Sequence, residues 1–293
     1  MYPVPIKQYF RPRSVEEARQ IAADANGEFF FVAGGMSLMQ AMKSRMIAPD
    51  CLIDLNFVDE LRGIQVAGKQ IRIGAMTRYR EVVEEKKKLG PFTALSDAAA
   101  HVGDRQVRNR GTLGGSLAWN YISACTPVAS LACGATIEIL RSSGATDMVP
   151  IDDFLQGLMT TALDDGDLLT AIQLQTPDSA SGSAYLKWGI VTDALLVIAV
   201  GVHLELDNAG KCNFARFAVG GLSSGPARSA AAENQLASGV DVTDQAALRA
   251  CAAAAAEELE THDDPWVSAD YKTQLIVQLG TETLIKAAAR ARA

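Results

Sequence analysis

The chain has 293 residues, 48% of them apolar and 21% charged, with 27 Lys+Arg against 34 Asp+Glu for a net charge of −7. This is a globular composition, long enough for two domains with substantial cores, and it excludes a disordered or collagen-like chain. A net acidic chain without any block of five basic residues also argues against binding nucleic acid through its phosphates, which needs clustered Lys and Arg.

Ser14-Val-Glu-Glu17 has capping-box spacing ahead of Ala18, Ile21 and Ala22, and predicts a helix ending near Asn26-Gly27. Phe29–Val32 reads as a short buried strand running into Ala33-Gly34-Gly35, after which Ser37 caps a helix with Leu38, Met42 and Met46 on one side. Residues 51–55 and 70–75 are further strands. Lys86, Lys87 and Lys88, following Glu84 and Glu85, read as a solvated helix end. Residues 96–102 belong to a helix leading into the longest stretch without Lys, Arg, Asp or Glu, 111–137. That stretch is long enough to span a bilayer, but four glycines, Pro127, Asn120 and six Ser or Thr hydroxyls make it too polar for a membrane helix.

The polar, small-residue run 176–183 predicts a linker and a domain boundary. Beyond it, residues 194–206 and 212–219, joined by Asp207-Asn-Ala-Gly210, predict a β-hairpin, and 246–259 and 271–291 predict helices. The order of elements fits α+β rather than a regular βαβ alternation. The N-terminal segment, residues 1–7, has no basic stretch followed by an apolar run, so a cytoplasmic location is expected. Five cysteines (51, 125, 133, 212 and 251) form no CxxC pair, and His101, His203 and His262 are far apart. Neither a disulfide framework nor a zinc or iron-sulfur ligand set is suggested; these residues read as buried thiols and isolated imidazoles.

Chemistry points to two glycine loops. In Val32-Ala-Gly-Gly-Met-Ser37 a glycine pair sits between a strand and a helix, where positive φ and unpaired N–H groups suit an anion; a plain tight turn has the same pattern. It is neither a Walker A loop nor a Rossmann fingerprint. In Gly111-Thr-Leu-Gly-Gly-Ser116 the pair follows Arg105, Arg108 and Arg110, which suit either a nearby anion or surface carboxylates. Two such loops in one domain suggest a long ligand with a diphosphate, held mainly by backbone amides.

Phe31-Val-Ala-Gly-Gly-Met-Ser-Leu38, Ile73-Gly-Ala-Met-Thr77, Gln106-Val-Arg-Asn-Arg-Gly-Thr-Leu-Gly-Gly-Ser116 and Gly220-Gly-Leu-Ser-Ser-Gly-Pro-Ala-Arg228 together resemble the FAD-binding medium subunits of molybdenum hydroxylases, which include the flavin parts of xanthine dehydrogenase and of aerobic carbon monoxide dehydrogenase. The resemblance implies an α+β fold. Its FAD-binding domain, of the vanillyl-alcohol-oxidase (PCMH) type, would span 1–176 in lobes of about 1–56 and 57–176, with a smaller α+β domain over 184–293. It implies an oxidoreductase subunit with non-covalent FAD, which receives electrons from [2Fe-2S] clusters on a small partner and passes them to an external acceptor. Those clusters are fed by a molybdopterin centre on a large partner, and the assembly would be a heterotrimer or a dimer of heterotrimers.

Carried over by position, the resemblance assigns cofactor contacts to Phe31, Val32, Ala33, Gly34, Gly35, Met36, Ser37 and Leu38, and to Thr112, Leu113, Gly114, Gly115 and Ser116. Leu169 and Lys187 fall on the flavin side, and Tyr185 matches a ring that packs near the isoalloxazine in some members. A strand-edge aromatic and a solvated amine fit Tyr185 and Lys187 equally well. Asp193 lies either near the flavin edge or at a strand start. Four departures stand out. Met36 replaces the usual Thr or His, Ser116 the usual Asn, and Trp188-Gly-Ile-Val191 the usual Arg-rich stretch. Tyr121-Ile-Ser-Ala-Cys125 stands in place of Asp-Pro-x-x-Asp, so Cys125, a poor hydrogen-bonding group, occupies the place of an acceptor. These departures raise a second reading, a scaffold that has lost stable flavin. A stand-alone flavoprotein oxidase is disfavoured, because neither glycine loop holds a His or Cys for covalent attachment and no acid/base pair is evident.

Overall fold

A computed structural model describes residues 5–191 and 193–293; the first four residues of the N-terminal segment lie outside the described residues. The first lobe runs β1 (Gln8–Phe10), α1 (Val15–Ala23), β2 (Phe29–Val32), α2 (Leu38–Lys43) and β3 (Cys51–Asp54). Its three strands are parallel in the order β1-β3-β2. All of β3 is buried, because the sheet is covered on both faces. Strand periodicity sends Cys51 and Ile53 toward Ala18 and Ala22 of α1, and Leu52 toward Leu38 and Met42 of α2.

Two local expectations change here. The Ser14 hydroxyl accepts from the Glu17 N–H at 3.1 Å as a cap should, but α1 stops at Ala23, short of Asn26-Gly27. Ser37 precedes α2 with helical backbone and no side-chain cap, and Met46 lies beyond the helix, 74% exposed, because Arg45 turns left-handed at φ 59°.

The second lobe contains β4 (Ile64–Ala67), β5 (Gln70–Gly74), α3 (Tyr79–Glu84), α4 (Ala94–Ala100), α5 (Arg105–Arg110), α6 (Leu113–Trp119) and α7 (Cys125–Ala132). It continues through β6 (Thr136–Leu140), β7 (Thr146–Pro150), α8 (Ile151–Phe154), β8 (Leu155–Gly157), β9 (Thr160–Thr161) and β10 (Leu168–Gln175). The sheet is antiparallel with order β4-β5-β10-β6-β7, and Ile71, Ile73, Ile137, Ile139 and Ile172 join one core with Ala98, Val128 and Ala129. Every residue of α7 is buried, including Thr126 and Ser130. The second half of the uncharged stretch is therefore packed core, where a charge would lose its hydration.

Strands β11 (Ala180–Trp188), β12 (Ile198–Leu206), β13 (Cys212–Gly220) and β14 (Ala227–Arg228) form an antiparallel sheet in that order, backed by α9 (Ala230–Ala237), α10 (Gln245–Glu258) and α11 (Ala269–Ala291). The predicted hairpin is β12–β13, though its first strand begins at Ile198 rather than 194. The small-residue run is not all linker, since β11 starts at Ala180. Smallness serves close approach there: a Cβ on Gly182 would lie 2.5 Å from the Ala291 nitrogen. Ser183 is buried, donating to the Pro91 carbonyl at 2.7 Å and accepting from the Ala94 N–H at 2.9 Å.

Ion pairs tie this sheet and its helices to the second lobe. Asp97 of α4 holds Arg290 of α11 at 2.6 and 3.0 Å. Asp152 of α8 holds Arg216 at 2.9 Å and Arg228, from the late glycine motif, at 2.8 Å. No helix among the described residues is long and apolar enough to cross a membrane.

Candidate cofactor site

Between the two lobes and the start of the third sheet lies a cleft of about 620 Å³, a size typical of cofactor pockets. Its first wall is the turn between β2 and α2, with Ala33, Gly34, Gly35, Met36 and Ser37 lining the space. Gly35 has φ +72°, a backbone state that favours glycine. Among the described residues the N–H groups of Gly35, Met36 and Ser37 have no acceptor, so this turn can serve an anion.

The second wall is the start of α6, from Gly111 through Ser116. Here the backbone is already committed. The N–H of Leu113 goes to the Thr77 carbonyl at 3.1 Å, that of Gly114 to Ala75 at 2.9 Å, and that of Gly115 to the Thr112 hydroxyl at 3.1 Å, which caps the helix. Apart from Thr112, whose N–H has no acceptor among the described residues, the amides of the second loop thus hold the loop itself, and the run of consecutive free donors belongs to the first loop. What the second loop's glycines provide is closeness. A Cβ on Gly114 would sit 2.6 Å from that of Ala75, and one on Gly115 would sit 2.7 Å from the Thr112 hydroxyl and 3.1 Å from the Ala33 Cβ. Gly34 in turn lies flush on the Arg110 carbonyl, which a Cβ would meet at 2.3 Å. The two glycine loops therefore form one joined surface.

Leu168 and Leu169 of β10 add an apolar wall, and Asp167 beside them is engaged by Arg141 at 2.7 Å. Burial alone would raise the Asp167 pKa, but the Arg141 guanidinium and two backbone N–H groups outweigh it and hold the carboxyl below its usual range. From the third sheet, Lys187, Asp193, Ala194 and Leu195 reach the cleft, with the Lys187 ammonium donating to the Ala194 carbonyl at 2.7 Å. Lys187 is thus tied to its own loop, and Asp193 is exposed at the mouth, well ahead of the β12 start.

Cys125 begins α7, lines the cleft and is 5% exposed; its sulfur lies 4.0 Å from the His101 carbonyl. Burial pushes the thiol pKa up, so it is neutral. Behind it Tyr185 is fully buried, 6.3 Å from the His101 ring by centroid, and its hydroxyl has no hydrogen-bond partner among the described residues. Burial, and then the neighbouring Cys125, push its pKa well up.

The cleft brings together most of the residues assigned from sequence: Phe31, Ala33, Gly34, Gly35, Met36, Ser37, Leu38, Thr112, Gly114, Gly115, Ser116, Cys125, Leu169, Lys187 and Asp193. Val32, Leu113 and Tyr185 do not line it. Val32 packs with Leu38 and Met42 because it faces the opposite side of β2 from Phe31, while Leu113 and Tyr185 are core of the second lobe. The cleft is also lined by residues not assigned from sequence, among them Tyr79, Val107, Trp119, Tyr121 and Leu195, and also Ala75 and Met76. The last two lie inside the quoted Ile73-Gly-Ala-Met-Thr77 motif, which was the available signal. Val107 likewise lies inside Gln106–Ser116 and Tyr121 opens the segment 121–125, whereas Tyr79, Trp119 and Leu195 carry no local pattern.

The residues present fit FAD. The cleft has the volume, one loop offers free N–H donors, and the glycines are crowded in a way only bare backbone permits. Comparison with known proteins agrees. Residues 5–177 match the FAD binding domain in molybdopterin dehydrogenase, and residues 184–287 match the CO dehydrogenase flavoprotein C-terminal domain. The chain is 32% identical over 289 residues to the 6-hydroxypseudooxynicotine dehydrogenase complex subunit alpha of Paenarthrobacter nicotinovorans, covering 98% of this chain and 96% of that protein. It is 30% identical over 283 residues to the carbon monoxide dehydrogenase medium chain of Hydrogenophaga pseudoflava, covering 97% of each. Among solved structures, quinoline 2-oxidoreductase from Pseudomonas putida 86 superposes with a TM-score of 0.90 at 29% identity over the full length of both chains. With both of its halves matched and near-complete coverage of its relatives, the chain belongs to the FAD-binding medium subunits of molybdenum hydroxylases, oxidoreductases of the carbon monoxide and xanthine dehydrogenase type.

Proposed function

We propose that this chain is the electron-transfer subunit of a three-part enzyme, carrying electrons from iron-sulfur clusters of a small partner to an external acceptor, with a molybdenum centre on a large partner. FAD supplies the ability to take up electrons singly and release them in pairs. The observation that carries this reading is the joined surface of the two glycine loops, closed around a cleft of about 620 Å³ that opens at Asp193 and Leu195. In this reading Gly35, Met36 and Ser37 donate to the diphosphate, Thr112 fixes the second loop, and Leu168, Leu169 and Cys125 exclude water from the inner end. Lys187 and Asp193 stand at the mouth. The division at 176–184, with its lobes, is part of the same proposal, as is a cytoplasmic location. The intact cleft favours the redox role over a flavin-free scaffold.

The test is anaerobic. Reducing substrate is added to the purified multi-subunit enzyme and the flavin absorbance is followed. Bleaching of the flavin after that of the iron-sulfur bands is expected. A flavin that stays oxidised while the clusters are reduced would overturn the role, and a complex without flavin would favour the scaffold.

A further inference from the structure

A cluster of arginines lies behind the first glycine loop, outside the cleft lining. Arg78 is 8% exposed, and its guanidinium donates to the Arg110 carbonyl and to the Asn56 side-chain oxygen. Asn56 in turn donates from Nδ2 to the Ala33 carbonyl at 2.9 Å, while its own carbonyl accepts from Arg62 at 2.7 Å. One guanidinium thus holds both glycine loops from the rear: the first through Asn56 and Ala33, the second through the Arg110 carbonyl on which Gly34 rests.

The charge of Arg78 is not balanced locally. Among the described residues no carboxylate lies within 4.0 Å of it; Asp54 and Glu81 act only from farther away, and Glu81 is engaged by the Arg78 backbone N–H at 2.8 Å. Burial, and then the like charges of Arg62 and Arg110, lower the Arg78 pKa, as expected for a cation short of anionic company. A buried, unpaired guanidinium is costly unless something of opposite charge compensates it. The face it backs is the turn whose amides are free for an anion.

We propose that Arg78 is a positioning residue for the cofactor diphosphate, latching the two glycine loops together through Asn56 and Arg110 and supplying from behind the positive charge that the diphosphate balances. The inference rests on the FAD reading above. It separates from that reading because it predicts that Arg78 acts on the diphosphate half, with no contribution from the flavin ring.

The probes are FAD and ADP, which keeps the diphosphate and lacks the flavin, titrated calorimetrically into the full chain stripped of cofactor. Arg78→Gln should weaken FAD and ADP together, each by about tenfold, as expected for a charge acting through a partly shielded interior. Arg78→Lys, which keeps the charge, should restore affinity for both to within about threefold. A Gln variant that weakens FAD while sparing ADP, or that binds both as the parent does, overturns the proposal. So does a Lys variant as weak as Gln, which would make Arg78 a shape-determining contact only. Amide exchange of the unmodified chain guards against a variant that fails to fold: ADP should slow exchange at 33–37 and 110–112 together, and slowing at neither would overturn the latch. A parent that binds neither probe removes the FAD reading itself.

Discussion

Replacing Gly34 by Ala probes the contact on which the site depends. The added Cβ would stand 2.3 Å from the Arg110 carbonyl oxygen and 2.8 Å from the Gly111 Cα, both backbone atoms. Restoring ordinary contact requires the loops to separate by roughly 1 Å, and overpacking of that kind costs about 1–3 kcal/mol. The Arg110 carbonyl cannot yield freely, because it also accepts from buried Arg78. Gly34 itself does not have positive φ, so the cost is crowding alone. Gly68→Ala is the matched control: its φ is +60° and nothing lies within 4 Å, so it carries only left-handed strain of about 1–2 kcal/mol. Urea unfolding and FAD titration of both variants should show comparable losses of stability, but FAD affinity reduced more than about tenfold in Gly34→Ala alone, equivalent to about 1.4 kcal/mol. If Gly34→Ala held FAD with parental affinity, the joined loops would not form the binding surface.

Three further outcomes are expected. Cys125→Asp places a carboxylate at the first turn of α7, facing the orphan hydroxyl of Tyr185; a charged hydrogen bond of about 1.5–3 kcal/mol should form, visible as coupling in a double-mutant cycle with Tyr185→Phe. Coupling below about 0.5 kcal/mol would mean the two groups do not meet. Gly182→Ala should destabilise the protein by about 1–3 kcal/mol, because its Cβ would strike α11; a neutral result in a thermal melt would mean that residues 180–183 behave as a linker after all.

Acid should loosen the junction between α4 and α11. Burial by itself would raise the Asp97 pKa, but Arg290, helped by Lys286, lowers it below 3.8. A carboxyl with a depressed folded-state pKa contributes stability that is complete above its unfolded pKa and is lost as pH falls through the folded one. The loss therefore begins near pH 4 and deepens below it, and Arg290→Met should remove this part of the pH dependence in denaturation curves recorded from pH 6 to 2. Parallel curves for parent and variant would refute the assignment.

What the sequence determined by itself was local. Strand β2, the glycine turn after it, the Ser14 cap and the β12–β13 hairpin each follow from residues within a few positions of one another, because capping, φ > 0 and period-two burial act at that range. The two glycine loops were legible as a pair for the same reason. Their joining was not. That Gly34 rests on the Arg110 carbonyl, and that the Leu113 and Gly114 amides are spent on Thr77 and Ala75, depends on chain segments up to about 80 residues apart. The run 176–183 shows the same limit, since small residues read identically whether they give a chain freedom or let a helix such as α11 approach closely. Tertiary packing alone decided that Tyr185 is buried behind Cys125, that Arg78 lies behind the first glycine turn, and that Tyr79, Trp119 and Leu195 face one cleft. Burial and charge balance are properties of the assembled surfaces, and no stretch of sequence carries them.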